Sequence, residues 1–407
     1  MRILVINGDC IQVNTSANLC HLAYIRGLVE AGHMVSLLSA DEKGYQTDSE
    51  MSVPDSVERI GYYGQSFYDI LSSLKKKVVS APTGAPSESK NDLTFSKLLR
   101  RSVKDMFMMA VYGIHGPYMS FVRRARKYRL EQGFDCVISL STPATSHLLA
   151  YELRRSGHIR APLWIQIWED PWYSDVYGFT QKRGIFKEEK RLLSIADRIC
   201  YVTPITLQNQ KKLFPESACK MYWQPLPAYY TKGVSQGVVP DKACFGYFGD
   251  YSLPARDLEP FYKAAADTGI YVNICGNPAN RFSPTDKICI YPRLPLAELK
   301  PFEDQAGVLV FLCNRSGGQI PGKIYQYSAT DKTILFILDG TEEEKKTLRE
   351  YFEPFNRFIF CENTVEDIKR AISLILSGDL GDIKNEPLTA FEPRKIVQRI
   401  LEEGMKQ

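Results

Sequence analysis

The stretch Gly307-Val308-Leu309-Val310-Phe311-Leu312-Cys313-Asn314-Arg315-Ser316-Gly317-Gly318-Gln319-Ile320-Pro321-Gly322-Lys323-Ile324-Tyr325-Gln326-Tyr327-Ser328-Ala329 decides the fold. Gly307 to Leu312 is short and continuously apolar, as a strand buried on both faces of a parallel sheet must be. Ser316 to Lys323 is a glycine-rich loop, and Ile324 to Ala329 opens a helix. This strand–loop–helix order places the loop at the carboxyl end of a strand, where open α/β sheets bind ligands. Glycines let the backbone turn tightly and approach a ligand, and the first turn of a helix offers free N–H groups. Gly318, Gln319 and Gly322 are therefore candidate ligand-facing positions. A cation at a helix start is disfavoured by the helix dipole, so Lys323 makes sense with an anion in front of it. On these residues alone, a glycine-rich loop whose lysine points into solvent stands equally open.

The same alternation extends outward from this stretch. Cys244 to Phe248, Tyr271 to Cys275, Ile288 to Tyr291, Thr333 to Leu338 and Arg357 to Cys361 are expected strands. Helices are expected around Phe261 to Ala266, Ala297 to Phe302, Glu343 to Phe352 and Val365 to Leu376. The first half repeats it with strands at Ile3 to Ile6, Val35 to Leu38, Cys136 to Leu140, Leu163 to Trp168 and Arg198 to Val202. Helices are expected from Leu19 to near Ala31, from Ser146 to Arg155 and from Lys187 to Ala196. Two doubly wound, Rossmann-like α/β domains facing a cleft follow, with the ligand site in the cleft.

Pro, Gly, Ser and Lys cluster without periodicity between Pro225 and Asp241, and the charge balance changes at the same place. Residues 1–235 hold 30 Lys and Arg against 22 Asp and Glu, a net of +8, whereas residues 236–407 carry −4. The expected organisation is a first domain over 1–235, a second over 236–390 and a terminal helix over 391–407 packing back towards the first. A further Pro-, Gly-, Ser- and Lys-rich stretch, Lys75 to Asn91, reads as a surface loop.

Across 407 residues the 51 Lys and Arg nearly balance the 47 Asp and Glu, which gives no reason to expect nucleic acid as a partner. The ten cysteines stand singly, with no C-x-x-C pair and no histidine at zinc-ligand spacing, so neither a metal nor a disulfide framework is expected. Several sit in apolar runs, which suits a reduced, cytoplasmic chain. The longest uncharged stretch, Met106 to Val122, is broken by Gly116-Pro117 and is shorter than the ~20 apolar residues of a membrane-spanning helix. Cations from Lys97 to Arg129 flank it. They suit either a peripheral contact with an anionic membrane face or two amphipathic helices with their charges in water.

Pro321 to Ala329, followed by Lys332-Thr333-Ile334-Leu335, resembles the Pro-x-Lys-aromatic-Glu-Tyr-x-Ala-x-Gly-Lys-Pro-hydrophobic segment of GT-B glycosyltransferases related to family 4. That family makes, among other products, bacterial surface polysaccharides. Other stretches are similar to the family in the same order: Gly32-His33-Met34-Val35, Trp168 to Trp172, Glu189 to Val202, Gly246 to Gly249, and Pro292-Arg293-Leu294-Pro295. The resemblance implies that Lys323 contacts the diphosphate of a nucleotide-sugar and that Gln326 stands where a glutamate binds the ribose hydroxyls. It likewise implies that Gly249 opens the second domain, that Arg256 joins Lys323 on the diphosphate, and that Arg293 lies at a turn facing the base. Two departures stand out. Gly318 and Gln326 occupy places that carry carboxylates in many relatives, and a neutral amide can bind hydroxyls without supplying charge. Asn14-Thr15-Ser16-Ala17 replaces a glycine pair, with Thr15 and Ser16 as candidate phosphate or sugar contacts at a helix start.

For chemistry in the first domain, Glu169 and Asp170 at a strand end are the candidate catalytic carboxylates, since an acceptor hydroxyl needs a base or an orienting acceptor. Asp170 and Pro171 shaping a turn is the alternative. His147, after Ser141-Thr142-Pro143, is a third catalytic candidate. The implied activity is transfer of a hexosyl or related sugar, with retained configuration, from a nucleotide-sugar co-substrate to a saccharide or lipid-linked acceptor, without a resident cofactor. A GT-B-like protein that binds a nucleotide-sugar without transferring it is the rival. A nicotinamide-dependent oxidoreductase is disfavoured, because no G-x-G-x-x-G follows the first strand.

Overall fold

In the computed structural model, residues 1–67, 69, 70, 108–175, 183–229, 241–316 and 318–406 are described. The expected loop at Lys75 to Asn91, most of the expected linker, and residues 97–107 of the basic segment lie outside them.

The first sheet has seven parallel strands in the order β3-β2-β1-β4-β5-β6-β7. They are β1 (Arg2–Asn7), β2 (Met34–Ala40), β3 (Glu58–Tyr62), β4 (Cys136–Ser141), β5 (Leu163–Trp168), β6 (Arg198–Tyr201) and β7 (Met221–Trp223). The five strands expected in this half match to within two residues at each end. Two were not anticipated. β3 is an edge strand whose residues are at most half-buried, so it lacks an apolar run, and β7 is only three residues long.

Helices α1 (Ser16–Glu30), α2 (Met119–Ala125), α3 (Thr145–Arg155), α4 (Arg183–Ile195) and α5 (Pro204–Leu213) belong to the same half. Thr15 caps α1 by accepting a hydrogen bond from the Asn18 amide. Helix α5 went unread although its signals are plain: Thr203 accepts from the Thr206 amide, and Pro204 sits at the first position. In the described part of the basic segment, Phe121 and Val122 are buried, Arg124 donates to the carbonyls of Tyr63 and Gln65, and Arg123 to that of Val111.

The second sheet has six parallel strands in the order β10-β9-β8-β11-β12-β13. They are β8 (Asp241–Phe248), β9 (Tyr271–Cys275), β10 (Ile288–Tyr291), β11 (Ala306–Leu312), β12 (Thr333–Leu338) and β13 (Phe358–Glu362). Around it stand α6 (Glu259–Thr268), α7 (Leu296–Gln305), α8 (Lys323–Ser328), α9 (Glu342–Phe352) and α10 (Val365–Ser377). In each sheet the strand order reverses at one place, between β1 and β4 and between β8 and β11, so the loops after these four strands flank a crevice at the sheet's carboxyl end.

One apolar core runs through both halves, joining Cys20, Ile205 and Leu226 to Ile320, Ile324 and Tyr325. The last helix, α11 (Pro393–Met405), leaves the second half and lies on the first. Ile396, Val397, Ile400 and Leu401 are buried there, and the carbonyls of Ile400 and Glu403 accept from Tyr222 Oη and Arg198.

Candidate functional site

A cleft of about 390 Å³ opens between the two sheets at their carboxyl ends. The first half contributes Asn14, Ser16 and Cys20 from the start of α1, and Glu169 and Asp170 after β5. The second contributes Gly249, Asp250 and Arg256 after β8, Gly276 after β9, Arg293 before α7, and Asn314, Gln319, Gly322, Lys323 and Gln326 after β11.

Three cations reach the cleft from the second half. Lys323 Nζ lies 2.8 Å from Glu303 Oε1, both groups being only partly exposed. The anion before Lys323 is thus a carboxylate of the chain itself, and α8 is only six residues long, so Glu303 and not a helix dipole sets the charge there. Arg256 Nε donates to Asn314 Oδ1 at 2.8 Å and its Nη1 to the Asp250 carbonyl at 2.9 Å, which aims the guanidinium along the loop after β8. Arg293 faces Asp250 at 3.4 Å and reaches across to the carbonyl of Asn14.

The first half supplies carboxylates. Asp170 accepts from the side-chain amide of Gln319, which also donates to Asp175 at 3.1 Å. Burial and the nearby Asp175 push Asp170 up to about 6, against the pull of the Gln319 hydrogen bond and of Arg256. Burial, with Asp170 beside it, also holds Glu169 well above the usual carboxylate range. The turn carrying both is fixed from behind by Glu189 of α4, which accepts from the Tyr173 amide at 2.6 Å and is fully buried.

Burial raises Glu189 from 4.5 to about 7. The folded protein therefore holds a proton that the unfolded chain releases across that window, so this contribution to stability is lost as pH rises through it. Glu189→Gln, which cannot ionise, is expected to gain a few degrees in thermal midpoint over the wild type between about pH 5 and about pH 8. Calorimetry giving a constant difference across that range would contradict the assignment.

Ten of the residues singled out in the sequence meet at this cleft: Glu169, Asp170, Ser16, Gly249, Arg256, Arg293, Gln319, Gly322, Lys323 and Gln326. Three take other places. His147 is fully buried, with Nδ1 2.7 Å from Ser139 Oγ and its ring against Trp168 at 4.3 Å, so it packs the core of the first half. Thr15 spends its hydroxyl on capping α1. Gly318 has φ +70°, and a Cβ there would lie 2.2 Å from Ile205 Cγ2, so glycine is needed for backbone shape and close approach. Its carbonyl accepts from Thr203 Oγ1 across the domain boundary.

Sequence reasoning missed Gly276, Asn314 and His21. A Cβ on Gly276 would stand 2.0 Å from the Gly249 carbonyl oxygen, so this glycine lets the loops after β8 and β9 close on each other. Asn314 orients Arg256, and His21 lies 3.4 Å from Glu169. Among the described residues no group of three or more His, Cys, Asp or Glu could hold a metal ion, and no helix is long and apolar enough to cross a membrane.

Two parallel-sheet α/β domains with the site between their carboxyl ends make this a GT-B fold. Sucrose-phosphate synthase from Thermosynechococcus elongatus shares it with a TM-score of 0.55 and 12% identity, over 100% of this chain and 96% of that one. A glycosyltransferase from Rickettsia africae ESF-5 matches with a TM-score of 0.54 and 10% identity, over 99% and 97%. No protein-family model and no curated protein sequence matches the chain. At such identities the likeness defines the fold, and the chemistry has to be argued from the cleft.

Proposed function

We propose that the protein is a glycosyltransferase that moves a sugar from a nucleotide-sugar to a saccharide or lipid-linked acceptor, in the synthesis of a bacterial surface polysaccharide. The observation that carries this reading is the division of charge in the cleft. Lys323, Arg256 and Arg293 face it from the second half, with Asp250 beside Arg293, and Glu169 and Asp170 face it from the first. The cations suit the diphosphate of a donor, whose negative charge grows as it leaves. The carboxylates suit an acceptor hydroxyl. In the transfer step the acceptor oxygen bonds to the anomeric carbon and its proton passes to Glu169. The bond from that carbon to the diphosphate oxygen breaks, and its electron pair leaves with the diphosphate. The family resemblance supports retained configuration, which requires the acceptor oxygen to bond on the face that the diphosphate leaves; NMR of the product would read it.

Lys323→Ala removes one charge-assisted contact, worth about 1.5–3 kcal/mol, so affinity for uridine or guanosine diphosphate is expected to fall about 10- to 150-fold. Calorimetry with unchanged affinity for the preferred nucleotide would remove the donor assignment. The neutral Gln326, where many relatives carry a carboxylate, favours a second reading in which the cleft binds a nucleotide-sugar without transferring it. Turnover of any nucleotide-sugar with an acceptor by the purified protein would exclude that.

A further inference from the structure

His21, on α1, is fully buried and belongs to none of the motifs that point to the cleft, yet its ring touches the cleft's acidic wall. Nδ1 lies 2.8 Å from Asn7 Oδ1, while Nε2 lies 3.1 Å from the carbonyl oxygen of Ser141 and 3.4 Å from Glu169 Oε1. The neighbours fix the Asn7 amide. Its Nδ2 donates to the Asp9 carbonyl at 3.0 Å and faces Asn18 Oδ1 at 3.5 Å, and Asn18 spends its own Nδ2 on the carbonyls of Cys10 and Val13. Asn7 therefore presents oxygen to the ring, and Nδ1 must carry a hydrogen. Nε2 is then left facing two oxygens, where a bare lone pair would meet the Ser141 carbonyl.

The geometry points to His21 as the positioning residue that keeps Glu169 ionised: a proton on Nε2, lying between the Ser141 carbonyl and Glu169 Oε1, makes the two side chains one imidazolium–carboxylate unit of zero net charge. Glu169 Oε1 is sealed inside, while the residue's 7% exposure and its place in the cleft lining put the carboxylate's outer edge at the cleft. Burial raises Glu169 and, against the opposing pull of the Ser141 hydrogen bond, lowers His21 to about 4. The contact between Nε2 and Glu169 Oε1 pulls the other way, because a proton held between them satisfies a buried carboxylate oxygen that is otherwise without a hydrogen bond. The other titratable groups facing the pair are Asp170 beside Glu169, Cys20 and Tyr24 from α1, and His147 from α3. Burial disfavours the charged forms of Cys20, Tyr24 and His147, and of these groups His21 is the one with a ring nitrogen 3.4 Å from a Glu169 oxygen.

The catalytic consequence rests on the transferase reading, since a glutamate that stayed protonated could not take a proton from an acceptor hydroxyl. The protonation itself does not depend on that reading. NMR of the full chain with 15N-labelled histidine, its His21 signals identified with His21→Asn or His21→Gln, is expected to show both ring nitrogens protonated at about pH 7. In Glu169→Gln the ring is expected to revert to a single-hydrogen tautomer. A neutral His21 ring in the wild type overturns the proposal, whether or not the protein transfers sugar. In the pH profile of kcat/KM, His21→Asn is expected to move the acid limb up by at least about one unit, with about tenfold loss near pH 7 that is partly regained near pH 9. An equal loss at every pH would mark His21 as merely structural and overturn it too. Absence of transfer with every donor would count against the transferase reading and leave the NMR result to decide on the pair.

Discussion

Glu169→Gln is expected to lower turnover about 10²- to 10⁴-fold while leaving affinity for the nucleotide within about twofold. The substitution keeps the size and one acceptor oxygen of the side chain and removes its ability to take a proton. Glu169 lies on the acidic wall, opposite the cations, so the loss falls on the acceptor's proton and not on the diphosphate. The fold should survive, because the amide keeps the size of the side chain and the His21 ring reverts to its neutral form, so no buried charge is left unpaired. Single-turnover kinetics beside nucleotide calorimetry separate the two effects. A variant that binds nucleotide poorly but turns over normally would move Glu169 from the acceptor side to the donor side. Near-normal activity would pass the proton to Asp170, which burial pushes up to about 6 but which already accepts from Gln319.

Gly318→Ala is expected to destabilise the protein by about 2–4 kcal/mol and to weaken nucleotide binding. Its φ of +70° charges a non-glycine residue about 1–2 kcal/mol, and the added Cβ would lie 2.2 Å from Ile205 Cγ2. Ile205 stands on α5 of the first half, so the clash works against domain closure. It also disturbs the neighbouring contacts of the loop, Gly318 O with Thr203 and Gln319 with Asp170. Urea unfolding of Gly318→Ala, Ile205→Ala and the double variant tests this as a cycle. The double variant should recover the steric part and keep the backbone part, whereas simple additivity of the two single effects would show that Ile205 is not the obstacle.

The elements most legible in the sequence are those whose signal is local. The apolar runs at Ile3 to Ile6, Leu163 to Trp168 and Thr333 to Leu338 are strands because both faces of a parallel sheet are covered, and such burial writes itself into consecutive residues. Glu58 to Tyr62 is a strand by pairing with β2 at a sheet edge, and pairing leaves no such run. The net charge of each half misleads about the cleft. The basic half presents two carboxylates there and the acidic half presents three cations beside one carboxylate, Asp250, because a total counts every charged residue and the cleft is lined by six.

The sequence by itself determined two parallel sheets, a glycine-rich loop after β11, and the presence in it of Gln319 and Lys323. Periodicity and backbone permissiveness act over a few residues, so they can be read along the chain. Only the tertiary structure decided which side chains meet. Asp170 and Gln319 are 149 residues apart, and Asn14 and Arg293 are 279 apart. A lone histidine on an apolar helix, such as His21, carries no local sign of its partner. The strand order brings the ends of β1, β4 and β5 to one rim, and there Asn7, Ser141 and Glu169 close around its ring. Burial then gives those meetings their chemistry, since a charge removed from water must be paired or lost.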